Sequence, residues 1–238
     1  MPVPSYILTC TDNTRIARDV YEFRFTRPGE WTFRAGQFVL FDVALPENPV
    51  DIQTRAFSIA SAPLENDLLF VAKLKEGGRA SRWIAESLKF GSQVRTQGPF
   101  GNFLVQKEHP KDLLFIATST GVAPFRSQII DILESDPSKK IDLIFGVRAE
   151  EDMFWKEEFE KLAQKHENFF VHVPLSKPSD TWAGHRGRVQ AVIELIVKDF
   201  SNKNVYVCGS PEMTKELKQL CLENWGIEKK DLHVEGYI

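Results

Sequence analysis

The sequence predicts two domains of different class: a small antiparallel β-domain over residues 1–106 and a doubly wound α/β domain over residues 107–238. Three observations carry this. Up to about residue 104 the apolar runs are short and alternate, as in Tyr21, Phe23 and Phe25 against Glu22, Arg24 and Thr26, which is the period of a half-buried strand. A polar stretch over 106–112 then breaks the pattern. Beyond it, solid apolar runs alternate with segments of helical period, the grammar of a parallel sheet covered on both faces.

In order, the first domain has candidate strands at 7–10, 20–26, 37–44, 55–60, 68–74 and 93–96, with one helix at 81–89. Short strands separated by Pro and Gly read as a sandwich or small barrel. The second has strands at 113–117, 141–147, 169–173, 205–208 and 232–235, with helices at 124–134, 152–166, 187–198 and 211–225. The last helix shows the warrant. Met213, Leu217, Leu220 and Cys221 recur at helical spacing, Ser210 can cap the start, Pro211 suits the first turn and Gly226 closes it.

Composition limits the chemistry. The 238 residues are 42% hydrophobic and 26% charged, and 30 Lys and Arg against 33 Asp and Glu give a net charge of -3. That balance offers no basic field for nucleic acid. Cys10, Cys208 and Cys221 form no CxxC pair and no four-cysteine set, so structural zinc, iron–sulfur clusters and a disulfide framework lose support, and a reducing, cytoplasmic setting is expected. No run approaches the roughly 20 apolar residues of a membrane span, and the first ten residues lack a secretory pattern. Neither secretion nor membrane insertion is expected. There is no HExxH, GxSxG or P-loop motif, and no GxGxxG follows the first strand of the second domain.

A doubly wound sheet binds ligands at the carboxyl ends of its strands, where the strand order reverses. In the common 3-2-1-4-5 order, strands one and four meet there. The first runs into Thr118-Ser119-Thr120-Gly121-Val122-Ala123-Pro124-Phe125, the fourth into Cys208-Gly209-Ser210-Pro211-Glu212-Met213. Both turns put Gly, hydroxyls and an early Pro at a helix N-terminus, where free amides favour an anion. Ordinary capping accounts for either turn alone; the pair at a switch point points to a dinucleotide. In the first domain Lys75-Glu76-Gly77-Gly78-Arg79-Ala80-Ser81 offers a second phosphate cradle. Arg55-Ala56-Phe57-Ser58 sets a cation, an aromatic face and a hydroxyl close together, or is a plain strand with one surface Arg.

RAFS at 55–58, GGRAS at 77–81, GPFG at 98–101, STGVAPFRS at 119–127, VCGSPEM at 207–213 and HVEGYI at 233–238 together resemble the ordered motif series of the ferredoxin–NADP reductase superfamily, over nearly the whole chain. The resemblance implies a six-stranded antiparallel Greek-key flavin barrel followed by a five-stranded NAD(P) domain. It implies FAD, with FMN the weaker alternative, reduced by NADPH or NADH, and electrons passed to a separate acceptor such as ferredoxin or flavodoxin. By similarity Arg55 would contact flavin phosphates, Phe57 would cover a ring face, Ser58 would bond near the nitrogen receiving hydride, and Gly78, Arg79, Ala80 and Ser81 would hold the pyrophosphate. Thr118, Thr120 and Gly121, with Gly209 and Met213 at the fourth strand's end, would bind the nicotinamide cofactor. Cys208 would sit beside the nicotinamide, or be a buried small hydrophobe. Glu235 would assist proton movement and Tyr237 would stack on the flavin, unless it is simply a terminal strand residue.

Three departures limit the transfer. Phe57 stands where most relatives have Tyr and lacks the hydroxyl contact, Ser119 replaces a common Gly, and Ile238 follows the aromatic terminus. Weaker flavin retention and looser stacking are expected. After the third strand, Ser176, Lys177, Arg186 and Arg188 are either a solvated basic loop or a 2′-phosphate site, and they incline the reading toward NADPH. A flavin reductase that releases its flavin, and a non-catalytic subunit keeping this fold within a redox complex, are the competing functions.

Overall fold

The computed structural model describes residues 3–45, 47–136 and 138–237, so Ile238 lies outside the described residues. Its contacts divide the chain into two units: residues 1–105 with 126–131, and residues 106–125 with 132–238.

The first unit is a six-stranded antiparallel sheet: β1 (Ser5–Ala17), β2 (Val20–Thr26), β3 (Phe38–Leu45), β4 (Asn48–Ser58), β5 (Asp67–Lys73) and β6 (Gln93–Phe100), in the order β4-β3-β6-β1-β2-β5. Inserting β6 between β3 and β1 gives the Greek-key crossing. Alternation drives one face inward. Phe23, Phe25, Phe41 and Phe70 are fully buried with Trp31 and Trp83 beside them, and Phe41 meets Phe25 at 5.0 Å and Phe70 at 4.9 Å between ring centroids. Each such pair adds about 0.5–1.5 kcal/mol beyond its buried area.

Several bounds differ from the sequence expectation. β1 runs on to Ala17 through Asp12, Asn13 and Thr14 because β2 pairs along it. β4 begins at Asn48 rather than at 55, and its mostly exposed first half, containing Pro49, is paired to β3 alone. Solvation on both faces erases the apolar period, and Pro is tolerated on an edge. The expected helix at 81–89 starts earlier, as α1 (Arg79–Arg82), and continues as a single π-helical turn (Trp83–Ser87).

The second unit is a five-stranded parallel sheet: β7 (Asp112–Thr118), β8 (Ile141–Gly146), β9 (Phe169–His172), β10 (Lys203–Gly209) and β11 (Leu232–Gly236), in the order β11-β10-β7-β8-β9. This is the expected 3-2-1-4-5 arrangement, with β7 and β10 adjacent at the switch point. The helices are α2 (Ala123–Ser135), α3 (Lys156–Lys165), α4 (Val189–Ile196) and α5 (Pro211–Glu223). The helix expected from 152 starts only at Lys156, after Trp155 takes a left-handed conformation (φ 55°). Residues 126–131 of α2 group with the first unit. There Arg126 grips Glu65 at 2.8 and 3.1 Å and the Ala60 carbonyl at 2.9 Å, while Gln128 donates to the Phe103 carbonyl at 2.6 Å.

Charges are buried at the amino ends of the parallel strands. Lys203 Nζ lies 2.8 Å from Asp142 and 3.8 Å from Asp112, with Lys203 and Asp142 both buried. Asp231, fully buried just before β11, accepts from Lys111 at 2.8 Å and pairs with His109 at 2.9 Å. The Lys111 amide donates to His109 Nδ1, so Nε2 carries the proton toward Asp231. Removing one partner of such a pair strands the other charge. Lys203→Met is expected to lower unfolding stability by about 3–5 kcal/mol in a denaturant titration; a loss too small to resolve would show that Asp142 needs no partner.

Candidate functional site

On the antiparallel unit, pairing with β3 sets Arg55 opposite Phe41, Phe57 opposite Val39 and Ser58 opposite Phe38. Arg55 and Phe57 share one face of β4. Phe57 is half-buried, its ring 5.5 Å from both Phe23 and Phe41, so one side is fixed by the core and the rest is left for a ligand. Among the described residues the Arg55 guanidinium bonds its own strand, the Thr54 carbonyl and Gln53 Oε1, both at 2.8 Å. Among the described residues it faces no carboxylate, and such a cation suits an anion.

The 75–81 segment folds on itself. Ser81 Oγ accepts the Lys75 amide at 2.7 Å, and the Gly78 amide donates to the Lys75 carbonyl at 3.0 Å. A Cβ on Gly78 would lie 2.9 Å from Ser81 Oγ and 3.0 Å from the Lys75 carbonyl, so a side chain there would press on the turn. The first bond of the turn runs from Arg82 N to the Gly78 carbonyl, which leaves the amides of Arg79, Ala80 and Ser81 without an intrahelical partner. The Arg79 side chain, however, is spent on scaffolding: its guanidinium holds the Asp51 carboxylate at 2.7 Å and carbonyl at 2.6 Å. What this segment offers an anion is backbone.

On the parallel unit, β7 ends at Thr118 and a 3-10 turn (Ser119–Val122) leads into α2. Ser119 adopts φ 51°, a left-handed conformation that glycine takes without strain. Gly121 packs on the end of β10. A Cβ there would fall inside van der Waals contact of the Cys208 carbonyl and 2.8 Å from Gly209 Cα. Gly209 in turn abuts Thr118, and a Cβ on it would sit 2.6 Å from Met213 Cε. Ser210 Oγ accepts the Met213 amide at 3.4 Å and caps α5, which begins with Pro211. Bare backbone and two helix starts thus meet at the switch point.

Parallel pairing puts Cys208 between Ala117 and Glu235, and the Tyr237 amide donates to the Gly209 carbonyl at 2.8 Å. Cys208 is fully buried. Burial, then the Glu235 carboxylate, push its thiol far up against the opposing hydrogen bond of the Tyr237 side chain, so at neutral pH it is an uncharged thiol, not a nucleophile. Burial also raises the Glu235 carboxyl.

The remaining basic residues lie in the loop after β9. Ser176 and Lys177 are exposed, their amides bonded to the carbonyls of Val147 and Arg148 at 3.1 and 2.7 Å. Arg186 is turned onto the carbonyls of Asp180 and Trp182 at 2.9 and 2.7 Å, and Arg188 lies 3.6 Å from Glu212. One residue escaped the sequence reading. Glu150, at the 3-10 turn (Glu150–Asp152) beyond β8, accepts from Ser179 Oγ at 2.5 Å and from its amide at 3.0 Å. The available signal was an acid shortly after the second strand of a doubly wound sheet.

The raised Glu235 carboxyl makes a pH-dependent stability term. Because its folded value exceeds the usual 4.5, the folded state holds this proton more tightly than the unfolded chain. Stability is lost as pH rises from the unfolded value to the folded one and stays lost above it. Glu235→Gln is therefore expected to match the parent near about pH 4 and to be the more stable protein at about pH 8; a stability difference independent of pH would contradict this.

Two family models match the chain: the oxidoreductase FAD-binding domain over residues 8–104 and the oxidoreductase NAD-binding domain over 115–219. Ferredoxin–NADP reductase B of Sorangium cellulosum is 33% identical over 212 residues, covering 86% of this chain and 85% of that protein. The reductase component of a phenol 2-monooxygenase from Pseudomonas sp. strain CF600 is 37% identical over 185 residues, covering 76% of this chain and 51% of that protein. Among solved structures, a ferredoxin–NADP+ reductase from Neisseria gonorrhoeae with bound FAD and NADP superposes with a TM-score of 0.84 at 22% identity, covering 98% of both chains. An Amycolatopsis cytochrome P450 reductase gives 0.86 at 24% identity, over 99% of this chain and 71% of that one. The chain belongs to the ferredoxin–NADP reductase superfamily of flavin-dependent NAD(P)H oxidoreductases.

Proposed function

We propose that this chain is the reductase of a multi-protein electron-transfer system, taking electrons from a reduced nicotinamide nucleotide through FAD to a separate one-electron carrier of the ferredoxin or flavodoxin type. One observation carries the reading. A single chain holds bare backbone at the switch point of a parallel sheet and, on its antiparallel unit, a half-buried aromatic ring beside an arginine with no carboxylate partner among the described residues. Those are the requirements of a pyrophosphate and of a flat phosphorylated ring. The three cysteines are too few for an iron–sulfur cluster ligated by four, so the carrier lies outside these 238 residues. The name of the phenol monooxygenase relative, a reductase component, supports it too. Three buried free thiols fit a reducing, cytoplasmic setting, and no helix among the described residues is long and apolar enough to cross a membrane.

The flavin, when bound, supplies the chemistry of accepting a hydride and releasing electrons. The chain's own residues position and shield. Arg55 and the amides of Arg79, Ala80 and Ser81 bind phosphate oxygens, while Phe57 presents its ring to a flat ligand and Ser58 a hydroxyl. Thr118, Thr120 and Gly121, with Gly209 and the start of α5 at Met213, take the nucleotide phosphates. Cys208 fills its place with an uncharged thiol that does not react, and beside it Glu235 offers a carboxyl whose hold on a proton burial strengthens, with Tyr237 covering the same edge.

The loss of a hydroxyl at Phe57 favours easier flavin release, the property of a flavin reductase. An anaerobic visible spectrum of the desalted protein, before and after NADH and then NADPH, tests the proposal. Retained flavin bands that bleach are expected. A colourless protein that reduces added flavin in solution would make it a flavin reductase, and one that neither takes up nor reduces flavin would make it a non-catalytic subunit.

A further inference from the structure

The nucleotide edge of the parallel sheet carries a charge that the reductase reading leaves unused. Glu150 lies four residues past the end of β8, and its carboxylate is held by the Ser179 hydroxyl at 2.5 Å and by the Ser179 amide at 3.0 and 3.2 Å. The turns after β8 and β9 are zipped together beneath it, Ser176 N to the Val147 carbonyl and Lys177 N to the Arg148 carbonyl. The loop that follows is closed at its base by Leu175, which donates to the His185 carbonyl at 3.0 Å and accepts from Gly187 N at 2.8 Å. Trp182 donates to the same His185 carbonyl at 3.2 Å and packs on Gly184. The carboxylate therefore sits on a built platform at the carboxyl edge of the sheet, and adjacent strands there are about 4.8 Å apart. A dinucleotide with its pyrophosphate at the β7 turn reaches β8 and β9 with its adenosine half.

Resting on the reductase reading, we infer that Glu150 selects NADH over NADPH by accepting the adenosine ribose hydroxyls and repelling a 2′-phosphate. A carboxylate accepts two hydroxyl donors of a diol and has no donor for a phosphate. Its hydrogen bonds from Ser179, and then the charge of Arg186, keep it ionised by holding its carboxyl below the usual range. Of the basic residues that incline the sequence toward NADPH, Arg186 alone is firmly engaged elsewhere among the described residues. Arg186 is taken by two carbonyls and Arg188 lies against Glu212. Lys177 and Arg148 remain exposed on the same turns, and a dianion reaching them would have to approach the carboxylate.

The test uses the FAD-reconstituted protein, with ferricyanide as acceptor and calorimetry of 5′-ADP and adenosine 2′,5′-bisphosphate as an independent readout. The expected results are a kcat/KM for NADH at least about tenfold above that for NADPH, and binding of 5′-ADP in preference to the bisphosphate. Glu150→Gln should raise NADPH efficiency about tenfold and admit the bisphosphate, while NADH efficiency falls because the amide leaves one acceptor oxygen for the ribose diol. Ser179→Ala, which keeps the charge, should retain the NADH preference. Equal use of both nucleotides, or a preference lost in Ser179→Ala but kept in Glu150→Gln, would overturn the inference and leave the reductase reading standing. If neither adenosine fragment binds and neither nucleotide reduces the flavin, both fall.

Discussion

The contact of Gly121 with the Cys208–Gly209 backbone is the constraint on which the nucleotide unit depends. Two chain segments about ninety residues apart meet there with no side chain between them, because a Cβ on Gly121 would overlap the Cys208 carbonyl and one on Gly209 would overlap Thr118. That approach brings the 3-10 turn leading into α2 and the start of α5 to one point, so the positive ends of both lie side by side. It also places Cys208 between Ala117 and Glu235 in the ladder and lets the Gly209 carbonyl accept the Tyr237 amide. The groups proposed to act at this end are positioned by backbone geometry, which pre-organises them without spending side-chain entropy.

The two ends of the parallel sheet are built to opposite rules. At the amino ends, charges are buried and satisfied: Lys203 between Asp142 and Asp112, and Asp231 between Lys111 and His109. At the carboxyl ends, glycine exposes the main chain, and burial raises both the Cys208 thiol and the Glu235 carboxyl. Electrostatic order is built into one edge; bare backbone marks the other, where an anion is proposed to bind. Glu150 is the exception at the open edge, an ionised carboxylate fixed by Ser179. An exception of that kind suits discrimination between ligands better than adhesion to either.

Much of this was legible in residue order. Buried parallel strands are continuous apolar runs, and capping residues such as Ser210 and Pro211 act on their own helix, so the strand order and both switch-point turns could be read directly. The first half of β4 could not, because Val50 and Ile52 face solvent and Pro49 interrupts the run. Nor could the fate of Arg79, whose partner Asp51 is 28 positions away, or the Glu150–Ser179 contact across 29. Residue type announces what a side chain can do; which partner claims it is settled by tertiary packing. Ser119 shows the same limit for backbone, since nothing local marks a serine as left-handed.

The bare backbone between β7 and β10 is proposed to bind the nucleotide phosphates, and amide chemical-shift mapping of the full chain with 5′-ADP is the experiment for it. The amides of Thr120, Gly121, Gly209 and Met213 are expected to shift first and saturate together. Saturable shifts confined to other parts of the sheet, with those four silent, would contradict it.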